Sequence, residues 1–137
     1  MTTETTSPTT DVDAVAVGFA AVAAGDIEAF AAGFHPDATW DHRNDDRLGG
    51  IKHGVGAITG FLAESMQLTA GSLRAVPEHY LADGQGRVAV LTHLTASRPD
   101  GRELDDMQVL VFAVADGLVH AVDQYIGNPT AVTSFWE

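Results

Sequence analysis

Apolar positions recur along this chain with two different periods, and the switch falls near Ser72. Before it, Val12, Val15, Phe19 and Val22 stand three and four residues apart behind Asp11, which predicts a helix N-capped by Asp11 and stopped at Gly25. Asp26 then caps a second, shorter helix with Ile27, Phe30 and Phe34 on one side, and Pro36 ends it. A strand is expected from Ala38 through Thr39, Trp40, Asp41 and His42 into a polar loop, Arg43 to Gly50. An extended piece over Ile51–Gly54 leads to a third helix that turns Val55, Ile58, Phe61, Leu62 and Met66 inward.

Beyond Ser72 the pattern is that of strands: Leu73–Ala82, Arg87–Arg98, Arg102–Ala115 and a shorter Leu118–Ile126. The connections Asp83-Gly84-Gln85-Gly86, Pro99-Asp100-Gly101 and Asp116-Gly117 carry the residues that tight hairpins demand. Connections this short imply an antiparallel meander, since parallel neighbours need a crossover. Pro129 opens a last helical turn that ends in Phe135-Trp136. The expected architecture is α+β: a curved antiparallel sheet with three helices packed on one face. Residues 1–10 read as a disordered tail, Thr-rich and without the positive charge of a signal peptide, and 11–137 as one domain.

Composition narrows the chemistry. The 137 residues suffice for one core without staples, and the lack of cysteine removes disulfides, thiolate metal sites and cysteine nucleophiles. Seven basic against 19 acidic residues leave a net charge of −12, a field that repels nucleic-acid backbones and anionic membrane surfaces. No apolar run reaches the roughly 18 residues of a membrane span, so a cytoplasmic location is expected. Gly54-Val55-Gly56-Ala57-Ile58-Thr59-Gly60 lacks the spacing and the preceding buried strand of a dinucleotide fingerprint. No phosphate-binding loop, zinc-helix or serine-elbow motif occurs, and no histidine–carboxylate spacing points to a metal.

Several short runs share order and spacing with one superfamily. Ala24-Gly25-Asp26-Ile27-Glu28-Ala29-Phe30, then Phe34 to Trp40, then Gly54 to Ile58, then Ala115 to Val119 and Asp123-Gln124-Tyr125, resemble the nuclear transport factor 2-like proteins. The likeness runs over about residues 12–137 and is nearest to SnoaL-like polyketide cyclases and steroid delta-isomerase-like proteins. It implies a cone-shaped α+β barrel around an apolar pocket, with no cofactor. The implied activity is acid/base chemistry on an apolar carbonyl or polyketide-like substrate, of cyclase or isomerase type. A non-catalytic ligand-binding or accessory protein, or a dehydratase, remains the alternative, because the same fold carries all of these.

The resemblance places Asp123 at a proton-handling aspartate of such cyclases, and His42 where the isomerases hold their general-base aspartate. Asp123 lies among Val119, Ala121, Val122 and Ile126, an apolar setting that suits a carboxylate of raised pKa, unless backbone amides satisfy it. His42 is either the partner acid or a solvent-facing strand-end residue. Trp40, Phe112 and Tyr125 are expected as apolar wall, Asp106 and Gln108 as a polar patch deeper in the cavity, and Trp136 outside it. His93 enters on the dehydratase reading, which resembles scytalone dehydratase. No Arg–Asp pair of the epoxide hydrolase kind is evident. Finally, Val109 to Val114 is apolar on both strand faces and Val88 to Leu91 repeats this, so a homodimer packed sheet to sheet is expected.

Overall fold

A computed structural model of the chain describes residues 8–137, so the expected tail falls mostly outside the described residues. Four helices occur among them: α1 (Pro8–Ala24), α2 (Ile27–Ala32), α3 (Val55–Leu68) and α4 (Pro129–Trp136). The strands are β1 (Phe34–Arg43), β2 (Gly50–His53), β3 (Arg74–Ala82), β4 (Arg87–Ser97), β5 (Glu103–Ala115) and β6 (Leu118–Tyr125). They form one open six-stranded sheet in the order β2-β1-β6-β5-β4-β3. The meander β3 to β6 is antiparallel as expected, but β6 lies parallel to β1 and the sheet is therefore mixed. The long excursion through α3 and the meander brings the chain back beside its first strand in the same direction.

Two helix boundaries differ from expectation. Asp11 is not an N-cap: α1 starts at Pro8, and the buried Asp11 side chain accepts from Gly86 N at 3.2 Å, tying the helix to the β3–β4 hairpin. At its other end Gly25 takes φ +68°, its N–H reaching Val22 O while Asp26 N reaches Ala21 O, which is a Schellman stop. Asp26 caps α2 through Ala29 N at 3.0 Å, but α2 ends at Ala32 instead of continuing to Pro36. A residue before proline avoids helical backbone, so His35 is drawn into β1 together with Phe34. At the β5–β6 hairpin Asp116 and Gly117 both have positive φ, +53° and +76°, as a type I′ turn requires.

Burial alternates without a break along β4 and β5, so every second side chain faces one core. That core joins Val15 and Phe19 of α1, Phe30 of α2 and Ile58 and Leu62 of α3 to Trp40, Val90, Phe112 and Val122 of the sheet. All three helices thus cover the same, inner face, and register shifts in β1, β3 and β5 bend the sheet around them. Helix α4 closes one end with a second cluster: Val132, Phe135 and Trp136 against Leu48, Leu94 and Leu104. Its last carbonyls accept from Arg98 and Arg102 of the β4–β5 hairpin. No described helix is long and apolar enough to cross a membrane.

Candidate functional site

Between the inner sheet face and the helices lies a cavity of about 90 Å³, room for a few waters or a single ring. Phe19, Phe34, Phe61, Leu62, Leu110 and Phe112 make most of it apolar. Among the described residues no Cα of α1 lies within 8 Å of a Cα of α3, the two helices that flank it. Gly18 of α1 lines the cavity, and a Cβ built there meets nothing within 4 Å.

One wall is polar, and its origin is strand parity. Trp40 and His42 alternate inward on β1, Val122 and Gln124 on β6, Gln108 and Leu110 on β5. The pairings His42↔Gln124 and Leu110↔Gln124 put these side chains side by side. Gln124 Oε1 accepts from Trp40 Nε1 at 2.9 Å and lies 3.1 Å from His42 Nδ1. Gln124 Nε2 donates to Gln108 Oε1 at 2.7 Å, and Gln108 Nε2 donates to Asp106 at 3.0 Å. Asp106 also accepts from Gly127 N and Asn128 N, so this buried chain of amides ends on the turn that starts α4.

The other ring nitrogen of His42, Nε2, stands 2.9 Å from Asp46 Oδ2 in the β1–β2 loop, and both side chains are buried. Asp46 is not on the cavity wall; it lies behind the imidazole. Burial works against its charge, yet hydrogen bonds from His42 and Asn44, the His42 charge and Leu48 N together hold its carboxyl below the ordinary value. Asn44 Nδ2 donates to Asp46 at 2.7 Å and to Thr133 Oγ1 of α4 at 3.1 Å, and Leu48 N donates to Asp46 at 2.7 Å. The loop is pinned from outside by the chain's single lysine. Lys52 Nζ donates to Leu48 O, to Gly49 O at 2.9 Å and to Gly50 O at 3.1 Å, and lies 5.0 Å from the Phe61 ring centre. Burial lowers the Lys52 pKa, with Asp46, Asp41 and Glu64 acting in opposition. Gly49 cannot be larger, because a Cβ would lie 2.1 Å from Asn44 O.

The structure sorts the expected site residues by face. Trp40, His42, Phe112 and Gln108 line the cavity; Asp106 shares their face but sits behind the wall, holding the turn before α4. Asp123 is not in the cavity: it pairs with Val111 and Asp41 on the outer face and takes a hydrogen bond from Arg43 Nη2 at 3.0 Å. An Arg–Asp pair therefore exists, but on the wrong side of the sheet for a pocket. Tyr125 follows the same parity, 45% exposed, with the Arg43 guanidinium 5.0 Å from its ring centre. His93 also faces outward, against Asp105 at 2.7 Å and Glu78 at 3.8 Å, which removes the histidine that the dehydratase reading needs. Trp136, expected outside, lines the cavity because α4 folds back over its end. Two site residues went unforeseen. Gln124 is one residue from the expected aspartate, and Asp46 lies in a loop whose charges read as solvated; the lone apolar Leu48 there was the signal of burial.

His42 is the one titratable group on the wall among the described residues. Among the described residues no group of three histidine, cysteine or acidic side chains is arranged to hold a metal ion. The polar wall can hold a hydrogen-bonding group of a small molecule whose body rests on the phenyl rings.

The model of the SnoaL-like domain matches residues 15–122. An uncharacterized protein of Mycobacterium tuberculosis, Rv0034, is 29% identical over 126 residues, covering 92% of this chain and 95% of that protein. Among solved structures, Bal32a from a soil-derived mobile gene cassette superposes with a TM-score of 0.91 at 28% identity, covering 95% of this chain and 98% of that one. TerC, co-crystallized with polyporic acid, superposes with a TM-score of 0.81 at 26% identity, covering 92% and 97%. With helices and a curved mixed sheet enclosing an apolar cavity, and the domain match extending from α1 into β6, the chain belongs to the SnoaL-like domain family of the nuclear transport factor 2-like fold.

Proposed function

We propose that this chain is a cofactor-free acid/base enzyme that acts on an apolar, carbonyl-bearing small molecule, in the manner of the cyclases and isomerases of its family. The observation that carries this reading is the buried His42–Asp46 pair set into the one polar wall of an apolar cavity. Asp46 holds Nε2 from behind, which leaves Nδ1 aimed at the cavity side, where Gln124 now meets it. A proton given from Nδ1 to a carbonyl oxygen, while the α-hydrogen leaves to water, forms the enol through which ring closure proceeds. Asp46 then retains the Nε2 hydrogen and fixes the ring. The size of the cavity favours a single ring, or a larger molecule for which side chains move aside. Crystallization of TerC with polyporic acid supports a small-molecule pocket on this fold. The homodimer belongs to the same proposal: Val76, Leu81, Met107, Val109 and Tyr125 leave exposed apolar positions on the outer sheet face, among the Arg43–Asp123 and His93–Asp105 pairs.

One observation favours a purely binding protein instead. Both His42 nitrogens are already engaged, and the wall amides bond to each other, so the network is complete without a ligand.

Exchange of the α-hydrogens of a small cyclic enone in heavy water, followed by proton NMR, separates the two. Catalysed exchange that drops roughly 10²–10⁴-fold in His42→Ala, and falls in Asp46→Asn, is the expected result. Asp123→Asn, an exposed outer-face change, should leave it intact. Binding without exchange leaves the accessory-protein reading.

A further inference from the structure

Two N–H groups converge on one oxygen in the polar wall: Trp40 Nε1 at 2.9 Å and His42 Nδ1 at 3.1 Å from Gln124 Oε1. An indole N–H can only donate, so the oxygen of the Gln124 amide, and not its NH2, is turned toward Trp40. That orientation sends Gln124 Nε2 to Gln108 Oε1, and Gln108 in turn points its NH2 at Asp106, which already receives two backbone N–H groups. Both amides are thus oriented from both ends. His42 Nδ1 must then carry a hydrogen, since it faces an acceptor, while Nε2 keeps its own toward the Asp46 carboxylate.

The result is a pair of fixed donors aimed at a carbonyl oxygen, buried in an apolar cavity, with the chain's own side-chain carbonyl seated on them. We infer that Gln124 Oε1 is an internal stand-in, and that Trp40 Nε1–H and His42 Nδ1–H form the subsite for the ligand's carbonyl oxygen, which takes both donors by displacing Gln124. This rests on the reading of the cavity as a small-molecule site and names its substrate class: a neutral ketone or enone on an apolar ring. A carboxylate is the poorer occupant, because Asp46 at 2.9 Å already answers any charge on His42 and the chain as a whole carries −12.

The test uses two probes of nearly equal shape, acetophenone and α-methylstyrene, which differ by C=O against C=CH2, with benzoate as a third arm. The full chain, labelled with nitrogen-15 in its tryptophans, is titrated with each; Trp40→Phe assigns the two indole resonances. In the wild type acetophenone should bind roughly 3–10-fold more tightly than α-methylstyrene and shift the Trp40 Nε1–H resonance. It should also bind more tightly than benzoate. In Gln124→Leu, which removes the competing oxygen, the ketone preference should widen; in Trp40→Phe it should shrink. Equal affinity for ketone and hydrocarbon with an unmoved Trp40 Nε1–H overturns the inference while leaving the cavity as a binding site. A preference for benzoate overturns the neutral-carbonyl assignment. If no probe binds, the cavity reading itself falls and takes the inference with it. Should Gln124→Leu fail to fold, the wild-type ratio and the Trp40 shift still decide.

Discussion

Asp46 shows how much one side chain can hold. It accepts from His42, Asn44 and the Leu48 backbone; if it is removed, His42 Nε2 and Leu48 N lose their acceptor, while Asn44 keeps Thr133 Oγ1. Asp46→Ala should therefore cost about 3 kcal/mol of stability, the usual loss when one member of a buried pair is deleted. The pH dependence has a definite sign. Its carboxyl is held below the ordinary 3.8 in the folded chain, so its stabilisation is complete above that value and is lost as pH falls beneath it, through the lower folded value. Chemical denaturation at a series of pH values should show a steeper acid loss in the wild type than in Asp46→Asn. Asp123 illustrates the opposite case. It is near an arginine, but the pair is exposed, and such pairs contribute little.

At the level of elements, the period of the pattern was a sound guide wherever contacts are local. The unbroken alternation of β4 and β5, and the Asp116-Gly117 turn, were readable because each strand pairs with its neighbour in sequence. The inner face of β6 was not readable. It depends on a parallel pairing with β1, some 80 residues away, and on the register shift opposite Ala113–Val114, so Asp123 and Gln124 exchange roles by one position of parity. The buried loop at Asp46 was hidden for a related reason: α4 decides its burial, through Thr133 and the cluster around Leu48, and these contacts are remote in sequence. Helix α1 offers a test of what the cavity costs its frame. Gly18 sits in mid-helix beside open space, with no backbone angle that needs glycine. Gly18→Ala should raise stability by about 1 kcal/mol, seen as a higher melting temperature in calorimetry.

For the molecule as a whole, the outer sheet face is the unfinished surface. Val109 pairs laterally with Tyr125 and Leu91, and Met107 with His93 beside Val76, so the apolar positions form a patch rather than scattered points. The proposed homodimer covers it, and sedimentation at micromolar concentration should give twice the 14.4 kDa of one chain. Val109→Glu should return it to a single chain, and a wild-type monomer would refute the assembly. The single polar wall has a consequence of another kind. A ligand pinned by its oxygen at Trp40 and His42 lies with one side toward the helices and the other toward the sheet, and these surroundings are not mirror images. The cavity is therefore handed. A racemic cyclic ketone offered at limiting protein should be depleted in one enantiomer, measurable by chiral chromatography of the unbound fraction, and any hydrogen delivered next to the carbonyl should arrive on one face alone.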